Sequence, residues 1–387
     1  MSDSVPALPA GCRVRASSAY ALRRPDELPA SAVGTLAGLG VDPAAIGGVL
    51  VARGGSGLQD KLVDAAGASA LAIIATPAEP PKLLADRLVE LVLDGVVEVQ
   101  VGENFLTGPR AWEVLWSGRH RPPPPDAVAR SSYAALAYAE RLRLISPVEL
   151  ASRLYAFGRV PLSRRWSRAW PEERAVLAAL GRAMKTLDRA WYRSSPNSAG
   201  WLSWTRAGAA AVAETRYKLY VSPAVEALTA VLPGLVDVLD GAGATRFKIG
   251  ADAAGLLRPD KIVVYPAHRT ELEIVIAALM TAYDGVQPHG VPFSADLTGD
   301  GLLSWSADPP PDAGPVGSSP ESWRWSVARR LAEYVVAAHA AGLSGAVATH
   351  YALDRLEVDG VDTVSFLPGG LIPPRLPVRR DTSRDPA

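Results

Sequence analysis

Arg216-Tyr-Lys-Leu-Tyr-Val-Ser222 is the stretch that decides the fold. It alternates and is rich in β-formers, so it predicts a strand. Ser222 and Pro223 then open a helix from about 224 to 240. Thr245-Arg-Phe-Lys-Ile-Gly250 predicts a second strand and Lys261-Ile-Val-Val-Tyr265 a third. A further helix runs from Thr270 to about Tyr283. Gly301-Leu-Leu-Ser-Trp305 follows a Gly- and Pro-rich loop, and Ser319-Pro-Glu-Ser322 opens a long helix through about Ala341. Strands and helices in mixed order predict an α+β fold, with a small mixed sheet and flanking helices in the C-terminal half.

Upstream, Arg121-Pro-Pro-Pro-Pro-Asp126 reads as a stiff linker and a domain boundary. Residues 127–213 read as helical. Ser131 to Arg143 is amphipathic. Ser146-Pro-Val-Glu149 has capping-box spacing with Pro at the first helical position, and its helix runs to about Phe157. Pro171 opens another helix, to about Trp191. Trp166, Trp170, Trp191, Trp201 and Trp204 read either as core and interdomain packing or as an aromatic groove for an extended peptide. Before the linker, a helical pattern over 82–93 is followed by Val96 to Val101, a turn at Gly102 and Asn104, and Phe105-Leu-Thr-Gly108. That is a small helix–hairpin, winged-helix-like module, serving packing alone or docking a peptide or partner. Arg53-Gly-Gly-Ser-Gly57 lacks the Gly-Lys-Ser/Thr ending of a phosphate loop and reads as a turn. The expected organisation is 1–120, 127–213, 214–370 and a charged, proline-rich, mobile tail over 371–387.

The 387 residues carry 40 basic and 40 acidic side chains, so net charge is zero. That argues against a nucleic-acid surface working by bulk electrostatics. With 48% apolar residues the chain is no disordered polyampholyte. A lone Cys12 excludes an intramolecular disulfide framework and a multi-Cys zinc site, and fits a reducing cytoplasm. No signal peptide or transmembrane run is expected. His120, His268, His289, His339 and His350 show no metal-ligand spacing, so no metal is expected. Asp296-Leu-Thr-Gly-Asp-Gly301 lacks the spacing and final Glu of a calcium loop and reads as a turn. His268 reads mainly as a helix cap, and His289 lies in a loop that could approach a substrate.

The basic residues are very unequal, 34 Arg against six Lys, and three of the Lys (Lys218, Lys248, Lys261) fall on the three predicted strands. Arg is always charged, whereas Lys can lose its proton when desolvated. Residues two apart on a strand share a face, so Arg216, Lys218 and Tyr220 point together, as do Arg246 and Lys248. Such a face is either simply solvated or built for an anion. A phosphate would satisfy it, with Arg as a fork and Lys as a point charge.

Lys218-Leu-Tyr-Val-Ser222, then Phe247-Lys248, then Lys261-Ile-Val-Val-Tyr-Pro266 resembles the phosphothreonine and phosphoserine lyases, among them secreted bacterial effectors and the lyase domains of lanthipeptide synthetases. A closer resemblance is to the Hop-A type effector-like family, with relatives in class V lanthipeptide and thioamitide biosynthesis. That family's Lys, Arg, Asp and Tyr fall on Lys248, Arg258, Asp260 and Tyr265. Its later segments are similar to Pro292-Phe-Ser294 and Ser322-Trp323, before a helix ending Leu331-Ala-Glu333. The resemblance covers about 214–340.

It implies β-elimination without metal or organic cofactor, giving dehydroalanine or dehydrobutyrine. By position Lys248 would be the base, needing a pKa lowered from ~10.4 toward neutrality by burial and neighbouring cations. Lys218, Arg258 and Lys261 would hold phosphate, with Arg216 and Arg246 beside them. Arg324 or Arg329 would complete the clamp from the long helix, and Tyr265, His268 and His289 are further candidate site residues. The family's Lys-x-His element reads Lys218-Leu-Tyr220 in this chain, so the usual acid is absent. Tyr220 would be the acid, or phosphate would leave unprotonated. The implied partners are a ribosomal precursor peptide and a separate kinase-like protein. Two rival readings stand beside the lyase: a lanthipeptide cyclase adding Cys thiol to dehydrated residues, and a non-catalytic phosphopeptide- or leader-binding scaffold.

Overall fold

The computed structural model describes residues 14–17, 20–23, 25–28, a few positions between 30 and 37, 49–52, 89–116, 121–194, 200–209, 216–308 and 322–376. The chain divides into two compact units, 1–121 with 337–359, and 122–336 with 360–387.

In the first unit, Val14–Ala16, Val97–Val101 and Asn104–Leu106 form an antiparallel three-stranded sheet. The hairpin turns through Gly102 at φ +60°, a left-handed conformation that glycine adopts without steric cost. Of the expected helix over 82–93, residues 89–93 are helical; 82–88 and Arg53 to Gly57 lie outside the described residues. Helix Gly345–Val358 belongs to this unit. There Asp354 accepts from Trp112 Nε1 at 3.0 Å and from Arg121, while Arg355 pairs with Asp94 and Asp359.

The second unit is built on a seven-stranded, wholly antiparallel sheet. Its strands are β1 (Trp191–Arg193), β2 (Trp201–Arg206), β3 (Tyr217–Val221), β4 (Arg246–Gly250), β5 (Ile262–Val264), β6 (Ala295–Asp296) and β7 (Leu303–Ala307). Their spatial order is β6-β7-β3-β5-β4-β2-β1. The α+β class therefore holds, but the sheet reaches back into the segment read as helical. Trp201-Leu-Ser-Trp-Thr-Arg206 alternates with period two, and that pattern prevails over its helical surroundings.

The main helices are α1 (Ala127–Leu142), α2 (Pro147–Tyr155), α3 (Leu228–Gly241), α4 (Arg269–Ala282) and α5 (Trp323–Ala340). The start of α2 follows its sequence signal: Ser146 Oγ accepts from Glu149 N at 3.3 Å, with Pro147 next. Among the described residues no helix is long and apolar enough to cross a membrane.

Directly opposed residues of an antiparallel pair share a face. Register therefore sorts the sheet into two sides. On one, Leu202, Trp204, Leu219, Val221, Phe247, Ile249, Ile262, Val264, Leu303 and Trp305 are buried in one core with the inner faces of α3 and α4. Phe247 anchors it, stacked on Trp204 at 5.1 Å and edge-on to Trp191 at 5.0 Å. On the other, Ser203 opposes Lys248, Lys248 opposes Val263, Val263 opposes Tyr220, and Ser306 opposes Lys218. The fold thus gives this second side to polar and charged groups.

The segment read as a mobile tail begins docked. Arg269 on α4 donates to Ile372 O at 3.2 Å and to Pro373 O, and Glu273 accepts from Arg375 N at 2.9 Å. Residues 377–387 lie outside the described residues.

Candidate active site

Strand alternation places Lys248 on the polar side while Phe247 and Ile249 enter the core. Its side chain is half-buried. The Nζ lies 4.1 Å from the ring centre of Trp201 and 5.5 Å from that of Tyr265. Burial pushes its pKa down to about 8, and Lys218, Arg258 and Arg246 push the same way against the opposing charge of Asp260. At neutral pH about a tenth of such an amine is unprotonated.

A turn brings Arg258 and Asp260 to the same place. Gly250 at the end of β4 packs backbone to backbone on Gly255: a Cβ at Gly250 would lie 2.7 Å from Leu256 N. Only glycine admits that approach. Asp252 Oδ1 accepts from Gly255 N at 2.8 Å and caps the short turn. Beyond it, Arg258 grips Asp260 with two prongs, Nε to Oδ1 at 2.8 Å and Nη2 to Oδ2 at 2.9 Å. Arg324, buried on α5, donates Nη1 to Asp260 Oδ2 at 2.9 Å and Nε to Pro292 O at 2.9 Å. Tyr155 at the end of α2 adds its hydroxyl to Asp260 Oδ2 at 3.3 Å. Burial alone would raise the Asp260 pKa; Arg324 and Arg258 outweigh it and hold the carboxyl well below its ordinary range.

Lys218 on β3 is ion-paired with Asp308, whose other oxygen accepts from Trp323 N at 2.9 Å at the start of α5. Arg246 stacks over Tyr265, its guanidinium carbon 4.4 Å from the ring centre. Of the ionised groups now named, Lys218, Lys248, Arg246, Arg258 and Arg324 are cations, while Asp260 and Asp308 are carboxylates. The surplus is positive and faces one side of one sheet. That arrangement can receive an anion and can hold an amine near its neutral form.

No protein-family model matches the chain, and no curated protein matches it. It is similar to solved structures at low identity. An effector of Pseudomonas syringae pv. tomato strain DC3000 aligns at 12% identity and a TM-score of 0.36, over 62% of this chain and 97% of its own. An effector of P. syringae pv. syringae strain 61 aligns at 13% and 0.36, over 61% and 96%. The VirA (SpvC) phosphothreonine lyase effector of Chromobacterium violaceum aligns at 12% and 0.25, over 46% and 85%. The functional case rests on the side chains of this chain.

The structure gathers Lys248, Lys218, Arg246, Arg258, Asp260, Tyr220, Tyr265 and Arg324. Tyr220 is buried under Arg324, its ring centre 5.6 Å from the guanidinium, and its hydroxyl pairs with Ser306 Oγ at 2.9 Å. Burial pushes the pKa of its phenol, like that of Tyr265, upward. The expected acid is therefore a poorer acid than free tyrosine.

Several expected residues serve elsewhere. Lys261 is fully buried, its Nζ donating to Pro223 O at 2.9 Å and meeting His289 Nδ1 at 2.8 Å, so its amine is not offered to a phosphate. His289 Nε2 in turn donates to Gly158 O at 2.6 Å, which leaves Nδ1 to accept from Lys261. His289 thus links Lys261 to Gly158 O. His268 caps α4, Nδ1 accepting from Glu271 N at 3.1 Å. Arg216 is exposed and donates to Asp308 O at 3.3 Å. Arg329 pairs with Glu333 one turn along α5 at 2.8 Å. Asp296 Oδ1 accepts from Thr298 N and Gly299 N, which makes its loop the turn expected. Among the described residues no group of three or more His, Cys, Asp or Glu gathers as a metal site.

The sequence reading missed Tyr155 and Asp308, and it placed Trp201 only among packing or groove aromatics. The period-two alternation of 201–206 was the one available signal for Trp201. Tyr155 and Asp308 carry none, because their roles arise from contacts more than 80 residues away.

Proposed function

We propose that this protein is a lyase that eliminates phosphate from phosphoserine or phosphothreonine in a peptide. The observation that carries the reading is Lys248: a half-buried amine with a lowered pKa on a cation-rich sheet face. A group of this kind suits proton abstraction from a weakly acidic carbon next to a dianion.

In this mechanism the unprotonated Lys248 removes the Cα proton. The electron pair left on Cα forms the Cα=Cβ double bond, and the Cβ–O bond breaks with its electrons going to phosphate. Lys218 and Arg258 hold the phosphate oxygens. Asp260 and Arg324 keep Arg258 from swinging, so its fork is aimed before substrate arrives. Lys218 exchanges Asp308 for the incoming phosphate. Tyr220 is tied to Ser306 and buried, which favours departure of an unprotonated phosphate into the cationic site. The products are dehydroalanine or dehydrobutyrine and inorganic phosphate, and the chain itself provides every group these steps use.

The natural substrate in this reading is a ribosomally made precursor peptide of the lanthipeptide type, phosphorylated by a separate kinase-like protein. The experiment is intact-mass analysis of a phosphoserine peptide incubated with the protein. Loss of the mass of phosphoric acid supports elimination. Unchanged mass with loss of a free thiol, on a dehydrated Cys-containing peptide, assigns cyclisation instead. Binding of the phosphopeptide without turnover assigns a scaffold.

A further inference from the structure

Lys248 is held in an unusual way. Among the described residues its ammonium has no hydrogen-bond acceptor or paired carboxylate within reach. Its near neighbours are aromatic faces: Trp201 at 4.1 Å and Tyr265 at 5.5 Å. Each ring carries a second cation. The Arg258 guanidinium lies 5.0 Å from the Trp201 ring centre and Arg246 lies 4.4 Å from that of Tyr265. All these separations are within the ~6 Å over which a ring quadrupole attracts a cation. The rings therefore offset part of the repulsion among these like charges.

This matters for a base. A carboxylate partner would fix the amine but would also keep it protonated. An indole face fixes the amine without accepting a hydrogen bond from it. Resting on the lyase reading, we propose that Trp201 is the positioning residue for the base: its indole face holds the Lys248 amine in place, beside Arg258, with the lone pair free for the substrate's Cα–H.

The charged and titratable groups that face Lys248 are Lys218 from β3, Arg246 from its own strand, Arg258 and Asp260 from the turn before β5, and Tyr265 just after β5. Two effects of removing the indole have opposite signs. Loss of the cation–π contact disfavours the ammonium and lowers the pKa. Admission of water favours the ammonium and raises it toward the ordinary ~10.4. A positioning role predicts the first and mere packing the second.

The test is competitive acylation of Lys248 by acetic anhydride across a pH series, read by mass spectrometry, in wild type, Trp201→Phe and Trp201→Leu. The expected midpoint falls by about half a unit in Trp201→Leu and stays near wild type in Trp201→Phe. Incorporating fluorinated tryptophans into the wild-type chain weakens the ring face without changing its shape, and should give a graded fall even if Trp201→Leu does not fold. With a phosphoserine peptide, kcat should drop about tenfold in Trp201→Leu with little change in KM. A midpoint that is unmoved or rises in Trp201→Leu and in the fluorinated series overturns the proposal. The labelling needs no substrate. A falling midpoint with an intact phosphopeptide therefore sinks the lyase reading and leaves Trp201 in place, whereas turnover with an unmoved midpoint overturns the Trp201 assignment alone.

Discussion

Arg258 and Asp260, two residues apart, close on each other in a two-pronged ion pair whose oxygens lie 2.8 and 2.9 Å from Nε and Nη2. Asp260 is buried and also serves Arg324, so one carboxylate balances two guanidiniums. Removing one partner of a buried pair costs about 3–5 kcal/mol, because the remaining charge is left uncompensated. Asp260→Asn should destabilise the protein by about that amount. The sign with pH follows from its depressed pKa. The stabilisation is fully present above the unfolded value near 3.8 and is lost as pH falls below it toward the folded value. Thermal melts should show a constant gap between wild type and Asp260→Asn from pH 8 down to about 5, closing below about 4.

Lys248→Arg preserves charge and approximate reach but cannot give a neutral base. Elimination from a phosphoserine peptide should fall below detection while binding persists. In wild type, kcat/KM should rise about fivefold between pH 7 and 8, pass its midpoint near 8, the pKa of the amine, and level off above about 9. Phosphate ionises near 6, so its titration does not obscure that limb. A flat profile from pH 7 to 8 in stopped-time assays would count against Lys248 as base.

Lys261 carries the opposite lesson about buried amines. Burial lowers its pKa to about 7, against an unfolded value near 10.5. Between those pH values the unfolded chain binds the extra proton, so stability rises with pH across that window. Lys261→Met removes the titration. Denaturant melts at pH 7 and pH 10 should show wild type gaining on the variant as pH rises, and peptide turnover in the variant should be retained within a few fold.

Gly250 touches Gly255 through backbone on both sides, and the added methyl of Gly250→Ala would meet Leu256 N at 2.7 Å. No side chain can yield there. The expected cost is about 1–3 kcal/mol, with loss of phosphopeptide affinity because the turn carries Arg258. Calorimetry and anisotropy titration check the two parts separately. Unchanged affinity would show that the turn does not position the arginine.

The three central strands were legible because Arg216–Ser222, Thr245–Gly250 and Lys261–Tyr265 alternate where helices do not. The start of α2 was legible in Ser146 and Pro147, whose capping chemistry is local. Alternation also grouped Lys218 with Tyr220 and Lys248 with Arg246, and the register through β5 sets the two groups on one side. Alternation misled at Lys261, since parity assigns a face but not a position along the strand. Lys261 lies level with Gly250, where Pro223 and His289 take its amine. Two partners that shape the site, Tyr155 and Asp308, arrive through tertiary closure, for which a single sequence holds no local signature. β1 and β2 were hidden because Trp-rich segments pack in helices and strands alike: the alternation of 201–206 was outweighed by helical surroundings, and the three residues of β1 declare themselves only by pairing with β2.

In β4 the residue that anchors the core and the residue that faces the cations are adjacent, Phe247 and Lys248. Deleting one residue before them would turn the strand over, driving an amine into the hydrocarbon layer and a phenyl ring among guanidiniums. The length of this strand is therefore under tighter constraint than its composition. An engineer could exchange outward positions for new chemistry and leave the inward ones untouched, provided that the count of residues between Thr245 and Gly250 never changes.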